Sequence, residues 1–205
     1  MKIRFLVSSE IHPSYQYIKN WGKYDQLTTK KSELEQGGIL FVLAGTEILS
    51  ADFRKNFDHV IIIHGSDLPR GRGWSPQVWQ IIEGKNGIMV TAFEAEDKLD
   101  SGDIWMQQEV HFTGLELYDE INQKLFEAYI VIIEYIKENY EKITLRKQVG
   151  KPSYYRQRTP EDSKIDIEQS IVNQFNLLRI ADPDRYPAFF EYRGVRFKIK
   201  IERYG

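Results

Sequence analysis

The chain contains no cysteine, which excludes disulfides, thiolate nucleophiles and the zinc sites built on cysteine. No metal is expected. A basic surplus is also missing: the formal net charge is −2, whereas proteins that hold nucleic acid through its phosphates carry a positive face. A nucleic-acid partner is therefore not expected. Long hydrophobic runs are absent as well, the longest falling well short of the roughly 20 apolar residues that span a bilayer. Met1–Val7 is too short an apolar run, and too soon followed by polar residues, to read as a secretory signal. No membrane association and a cytoplasmic location are the expectations. Repeats and low-complexity tracts are likewise lacking. What remains is a 205-residue chain, 41% hydrophobic, enough to bury a core in one domain with a small appendage.

Four short runs, Ile3–Val7, Ile39–Ala44, Val60–Ile63 and Ile88–Phe93, are apolar at every position or nearly so. Such runs read as strands buried on both faces, and helix-length segments between them predict a parallel sheet covered by helices. Those helices are expected over Pro13–Trp21, Ser50–Asn56 and Pro76–Glu83, and Asp103–Phe112 reads as a further strand. Thr113-Gly114-Leu115-Glu116 has the capping-box pattern and predicts the start of a long helix there. Leu117, Ile121, Leu125, Ala128, Ile132 and Ile136 then recur at helical spacing as a core stripe. Gly150–Ser163 is polar with two prolines and reads as a linker. Beyond it, Ile167–Ile180 predicts a helix, and Phe189–Tyr192 with Val195–Ile201 a hairpin turned at Arg193-Gly194. The expected division is a catalytic domain over residues 1–149 and a small subdomain over 150–205.

In parallel sheets of this kind ligands bind beyond the carboxyl ends of the strands, so the residues after each strand are the functional candidates. The third strand is followed by His64-Gly65-Ser66-Asp67-Leu68-Pro69-Arg70-Gly71-Arg72-Gly73-Trp74-Ser75-Pro76, a loop rich in glycine and proline that allows close backbone approach to a ligand. A lone histidine there is more often a structural hydrogen-bonding group, and Asp100 in Leu99-Asp100-Ser101-Gly102-Asp103 is by itself a turn former. Both are placed at strand ends on the same side of the sheet, and that pairing favours a shared cleft.

The two segments together, His64-Gly65-Ser66-Asp67-Leu68-Pro69 with Arg72-Gly73, and then Leu99-Asp100-Ser101-Gly102-Asp103, resemble the signature of formyltransferases that use 10-formyltetrahydrofolate. Leu43-Ala44-Gly45-Thr46-Glu47-Ile48-Leu49-Ser50 is similar to that family's strand and turn lining the pterin pocket, and Phe93–Asp97 to the loop closing over it. The resemblance implies the formyltransferase type of α/β fold, Rossmann-like, with helices on both faces of a parallel sheet, trimmed on its amino-terminal side, and a small carboxyl-terminal helix and hairpin. It implies 10-formyltetrahydrofolate as formyl donor, with Gly45, Glu47, Ile48, Leu49, Phe93, Glu96 and Asp97 as the residues that hold it. It also implies an amine attacking the formyl carbon, His64 stabilising the oxygen that gains negative charge, and Asp100 taking the amine proton through a water as general base.

Two departures stand out. The family usually has asparagine two residues before the histidine, and this chain has Ile62, which cannot donate a hydrogen bond. Ser66 or a loop amide is expected in its place. The forty residues before the pterin-lining strand are also short of the strand and helix the family commonly has there.

Three family branches compete for the acceptor. The methionyl-tRNA branch adds an RNA-gripping barrel not found before Gly205, and the chain has no positive surplus. The glycinamide ribotide branch cradles phosphate on a glycine-rich turn after the first strand, and Ser8-Ser9-Glu10-Ile11-His12-Pro13 has no glycine. The tail, with Arg158-Thr159-Pro160-Glu161-Asp162-Ser163, Asn176-Leu177-Leu178-Arg179 and Tyr186-Pro187-Ala188-Phe189, resembles the branch that formylates nucleotide-linked amino sugars destined for surface polysaccharide. A nucleotide-linked amino sugar is thus the expected substrate, met by Ser66, Asp67, Leu68, Pro69 and Trp74, with Trp74 or Tyr155 stacking on it. A hydrolase of the same folate, or a binding protein without turnover, stays open. The long apolar helix and the hairpin also offer a surface for a homodimer.

Overall fold

A computed structural model describes residues 1–204. Its centre is a six-stranded sheet formed by β1 (Ile3–Val7), β2 (Gln26–Thr28), β3 (Ile39–Leu43), β4 (His59–His64), β6 (Gly87–Glu94) and β7 (Ile104–His111), in the order β2-β1-β3-β4-β6-β7. The sheet is parallel from β2 to β4, while β6 and β7 run antiparallel to their neighbours. The expected parallel sheet is found over β1 to β4, and the reversed direction of β6 is the detail that differs. A continuous apolar run reports burial on both faces and carries no information on direction.

One face is covered by α1 (Pro13–Trp21), α3 (Pro76–Ile82) and α4 (Tyr118–Asn139). Ile3, Phe5, Phe41, Ile61 and Val90 meet Ile18, Ile81, Leu125 and Ile132 there in the main core. Alternate positions of the same strands, including Leu6, Leu40, Val42 and Val60, form a smaller core on the other face with Leu49 and Phe57. Its helical cover is only the four-residue α2 (Ala51–Arg54), so the second layer is thinner than expected. The amino-terminal trimming is visible at the edge: three-residue β2 is followed by a single 3-10 turn at Lys31–Glu33.

Local chemistry explains the boundaries. Pro13 opens α1, where its missing N–H costs nothing, and Gly22 closes it at φ 70° with its amide on the Ile18 carbonyl. The long helix begins at Tyr118 rather than at Thr113. Glu116 does bond the Thr113 amide at 3.0 Å, but Leu117 is the residue that caps α4, its amide donating to Glu120 at 2.9 Å. The capping signature marks a turn one step ahead of the helix.

The stretch read as a linker is pinned down. β8 (Tyr154–Tyr155) pairs in parallel with β5 (Arg72–Gly73), inside the loop after β4. Then α5 (Ile171–Ile180) packs on α3 and α4. β9 (Phe189–Tyr192) and β10 (Val195–Lys198) make the expected hairpin, with Arg193 and Gly194 at φ 50° and 77°, the left-handed pair that a tight two-residue turn requires. Among the described residues no helix is long and apolar enough to cross a membrane.

Candidate active site

A cavity of about 470 Å³ opens where β1, β3 and β4 end. It draws walls from both cores. On one side stand Val42, Leu49, Ile62, Phe93 and Ala95, and on the other Val78, Leu125, Phe126, Tyr129 and Ile180. His64 and Asp100 line the same cavity, each about 9% exposed, and its two sides are referred to below as the first and second lobe.

His64 is the last residue of β4, and its Nε2 sits 2.9 Å from the Gly71 carbonyl and 3.8 Å from Asp100 Oδ2. A carbonyl only accepts, so Nε2 carries a proton and the other ring nitrogen is bare in the neutral ring. Asp100 accepts from the Gly73 amide at 2.8 Å. Its backbone, at φ 47°, is held by Gln148, whose amide donates to the Asp100 and Gly102 carbonyls at 2.9 and 2.8 Å. At Gly102 a Cβ would fall 1.7 Å from the Glu94 carbonyl oxygen, so only glycine fits. Asp100 reaches His64 by an unexpected route. Because β6 runs antiparallel to β4, with Ile61 opposite Glu94 and His64 opposite Thr91, β6 ends at the far side of the sheet. The loop of residues 95–103 climbs back to deliver the carboxylate.

Of the residues implied for the formyl donor, Gly45, Glu47, Ile48, Leu49, Phe93 and Glu96 line the first lobe. Asp97 does not; its carboxylate takes Arg54 at 2.7 Å. The amides of Thr46 to Leu49 make no hydrogen bond to the protein among the described residues. An apolar slot edged by free amides fits a flat heterocycle rimmed with hydrogen-bonding atoms.

Of the residues implied for the substrate, Trp74 lines the cavity and Ser66, Asp67, Leu68 and Pro69 stand off it. They build the turn instead. The Ser66 carbonyl accepts from Thr91 at 2.6 Å, Asp67 holds Gln107 at 3.2 Å, and the Leu68-Pro69 bond is cis. Tyr155 packs parallel to Trp79 and donates to Glu83 at 2.7 Å, away from the cleft. Ser66 Oγ is buried without a partner, so it does not replace the missing asparagine. The amides of residues 71 to 74 are all engaged, with Ser153, Asp100 and Tyr155. Gln77, whose side chain lies against Gly65, lines the cavity as well.

The second lobe was not foreseen. His12, Tyr118, Asn122, Arg158, Asp182 and Arg185 line it, from four separated stretches of chain. Tyr118 donates to Asp182 at 2.7 Å, as does Arg185 at 2.6 Å. Burial, reinforced by Arg185, holds the His12 imidazole down to about 4, so it is neutral near pH 7.

The profile of the formyl transferase family matches residues 8–135, more than half of the chain. The chain belongs to this family. It is 29% identical over 176 residues to the bifunctional polymyxin resistance protein ArnA of Wigglesworthia glossinidia brevipalpis, covering 80% of this chain and 26% of ArnA. It is 32% identical over 145 residues to a methionyl-tRNA formyltransferase of Thermodesulfovibrio yellowstonii, covering 68% and 46%. The formyl transferase chain thus spans about a quarter and just under half of these two curated relatives. Among solved structures, the methionyl-tRNA formyltransferase from Clostridium thermocellum superposes with a TM-score of 0.77 at 23% identity, covering 100% of this chain and 94% of that one. A 4-N formyltransferase from Francisella tularensis gives 0.70 at 18%, covering 100% and 98%. HypX from Aquifex aeolicus, in complex with tetrahydrofolic acid, gives 0.74 at 15%, covering 98% and 37%. At these identities the likeness is one of fold.

Proposed function

We propose that the protein transfers the formyl group of 10-formyltetrahydrofolate to the amine of a nucleotide-linked amino sugar. The observation that carries this reading is that His64 and Asp100, 3.8 Å apart, line one cavity together with the apolar wall of Leu49, Ile62 and Phe93 and the polar wall of His12, Tyr118 and Arg158. Formyltetrahydrofolate, bound in the apolar lobe, supplies the activated one-carbon unit. Val42, Leu49, Ile62, Phe93 and Ala95 hold its ring and the Thr46–Leu49 amides meet the ring's edge. His64, as the imidazolium, donates to the formyl oxygen through the ring nitrogen that Gly71 leaves free, a charge-stabilising role that its partial burial strengthens. Asp100 receives the proton of the acceptor amine, directly or through a water, as the new N–C bond forms, while the Gly73 amide fixes the carboxylate's orientation. The proton passes to the folate nitrogen as its bond to the formyl carbon breaks and tetrahydrofolate leaves. Gln77 supplies the donor that Ile62 cannot, since its carboxamide is at the cavity wall beside Gly65. The nucleotide-sugar acceptor is supported by the similarity to ArnA and by the fold shared with a 4-N formyltransferase. The net charge of −2 disfavours tRNA.

The decisive assay incubates the protein with 10-formyltetrahydrofolate and a panel of nucleotide-linked amino sugars, following tetrahydrofolate release and product mass. Expected is a product heavier by one formyl group, with the rate reduced at least ~100-fold in both His64→Ala and Asp100→Ala and about tenfold in Gln77→Ala. Folate consumption without a formylated sugar overturns the transferase reading in favour of hydrolysis. Full rate in either of the first two variants overturns their roles.

A further inference from the structure

Four arginines of the chain are buried: Arg4, Arg72, Arg158 and Arg179. Arg158 alone among these lines the cavity, in the second lobe. Arg4 has Glu35 at 3.3 Å. Arg158 has no carboxylate oxygen within 4 Å among the described residues, although it is 8% exposed. A desolvated cation without a counter-ion is expensive, and the two carboxylates whose charge acts on it, Asp162 and Asp182, are both committed elsewhere. Asp162 gives both oxygens to Arg156 and the Thr159 amide, and only its backbone carbonyl faces Arg158, at 3.4 Å. Asp182 is taken by Arg185, Tyr118 and two amides. Each neighbouring ion pair is closed on itself, and one positive charge is left over.

The guanidinium is also held still. Its Nη2 donates to Ser163 Oγ at 3.0 Å, Ser163 in turn donates to the Tyr186 carbonyl at 3.1 Å, and the Tyr186 ring lies 5.6 Å from the guanidinium carbon. Nε is buried and has no partner. Burial keeps this guanidinium below the usual arginine range. His12 and Asn122, on the same lobe, add polar groups that do not compete as anions.

We propose that Arg158 is the anion-binding residue of the acceptor lobe and receives a phosphoryl group of the acceptor molecule, its guanidinium donating through Nη1, the nitrogen that is neither sealed from solvent nor bonded to Ser163 and Asp162. Arginine forms charge-assisted bonds to phosphoryl oxygens, and low local polarity strengthens them. This rests on the reading of the acceptor as a phosphorylated amine, and it names the residue that selects it.

The test is calorimetric titration of the full chain with uridine diphosphate and thymidine diphosphate, beside uridine, thymidine and tetrahydrofolate, for the native protein, Arg158→Gln and Arg158→Lys. Expected is a preference of at least ~10-fold for one diphosphate over its nucleoside, erased in Arg158→Gln, partly kept in Arg158→Lys, with tetrahydrofolate affinity unchanged. Equal affinity for diphosphate and nucleoside in the native protein overturns the inference, and this result does not depend on whether a variant folds. So does a loss of tetrahydrofolate rather than diphosphate affinity in folded Arg158→Gln, because the anion is then the folate tail. Kinetics separate the two proposals. Formylation of a nucleotide-linked sugar with KM unchanged in Arg158→Gln removes the subsite and leaves the function. Arg158-dependent diphosphate binding without formylation of any sugar keeps the subsite and removes the sugar reading.

Discussion

Gly102 shows how little latitude the catalytic loop has. Its Cβ position is occupied by backbone, the Glu94 carbonyl at 1.7 Å, and backbone cannot swing aside as a side-chain tip can. Gly102→Ala must therefore displace the loop of residues 95–103 and with it Asp100. The expected outcome is a loss of about 2 kcal/mol or more in urea unfolding, with a fall in formylation rate of the same order as in Asp100→Ala. A variant with native stability and native rate would show that the loop adapts. His64 and Asp100 were both legible as residues because their motifs are local. Ser66 to Pro69, expected to meet the substrate, stand off the cavity for a related reason. A motif records which residues a loop needs, and these four are needed to build the turn that presents Gly71 and Gly73, not to face the cleft. Asp97 was drawn away by Arg54, a partner 43 positions distant that no local pattern could reveal.

Among the elements, the start of α4 carries a charge arrangement with a pH signature. Glu116 is buried, and burial alone would push its carboxyl up. Lys124 at 2.5 Å and the Thr113 amide and hydroxyl outweigh that and bring it to about 2. Its folded pKa lies below the unfolded value of about 4.3, so its stabilisation is full above that value and is lost as pH falls toward 2. On the order of 2 kcal/mol is involved. Glu116→Gln is expected to lower stability at pH 7 and flatten the acid limb between pH 5 and 2, as measured by unfolding at stepped pH. Unchanged pH dependence would remove Glu116 from the account. The main strands and α1 and α3 were readable nearly to the residue, since burial and 3.6-residue periodicity are written in the side chains. By contrast, α4 and α5 begin at Tyr118 and Ile171, later than Thr113 and Ile167, and the short β2 and β8 were not read. Nor was strand direction legible. The route of Asp100 back to His64 follows from the reversal of β6.

At the scale of the whole molecule, the wall proposed for the acceptor was invisible in the sequence because its polar groups, His12, Tyr118, Asp182 and Arg158, come from the loop before α1, the start of α4, the loop after α5 and the segment after β8. No spacing rule links positions that far apart. The wall proposed for the formyl donor was legible as part of a cavity because Gly45–Leu49 and Phe93–Glu96 are each one short stretch. The structure also makes the two lobes interdependent, since residues after 150 supply walls to a cavity whose reactive pair lies before 101.

The pairing of Tyr154–Tyr155 with Arg72–Gly73 has a consequence for how the chain can be divided. At Gly73 a Cβ would lie 2.3 Å from the Tyr155 carbonyl, and the Trp74 amide donates to that same carbonyl at 3.1 Å, so the late strand is stitched to the loop that orients Asp100. With α5 seated on α3 and Tyr118 bonded to Asp182, a chain severed near Val149, an exposed residue, is expected to stay together as two non-covalent fragments. Co-expressed as separate pieces, residues 1–149 and 150–205 should co-purify and regain formylation that the first piece lacks alone, a complementation that would turn one enzyme into a reporter of whether its halves have met.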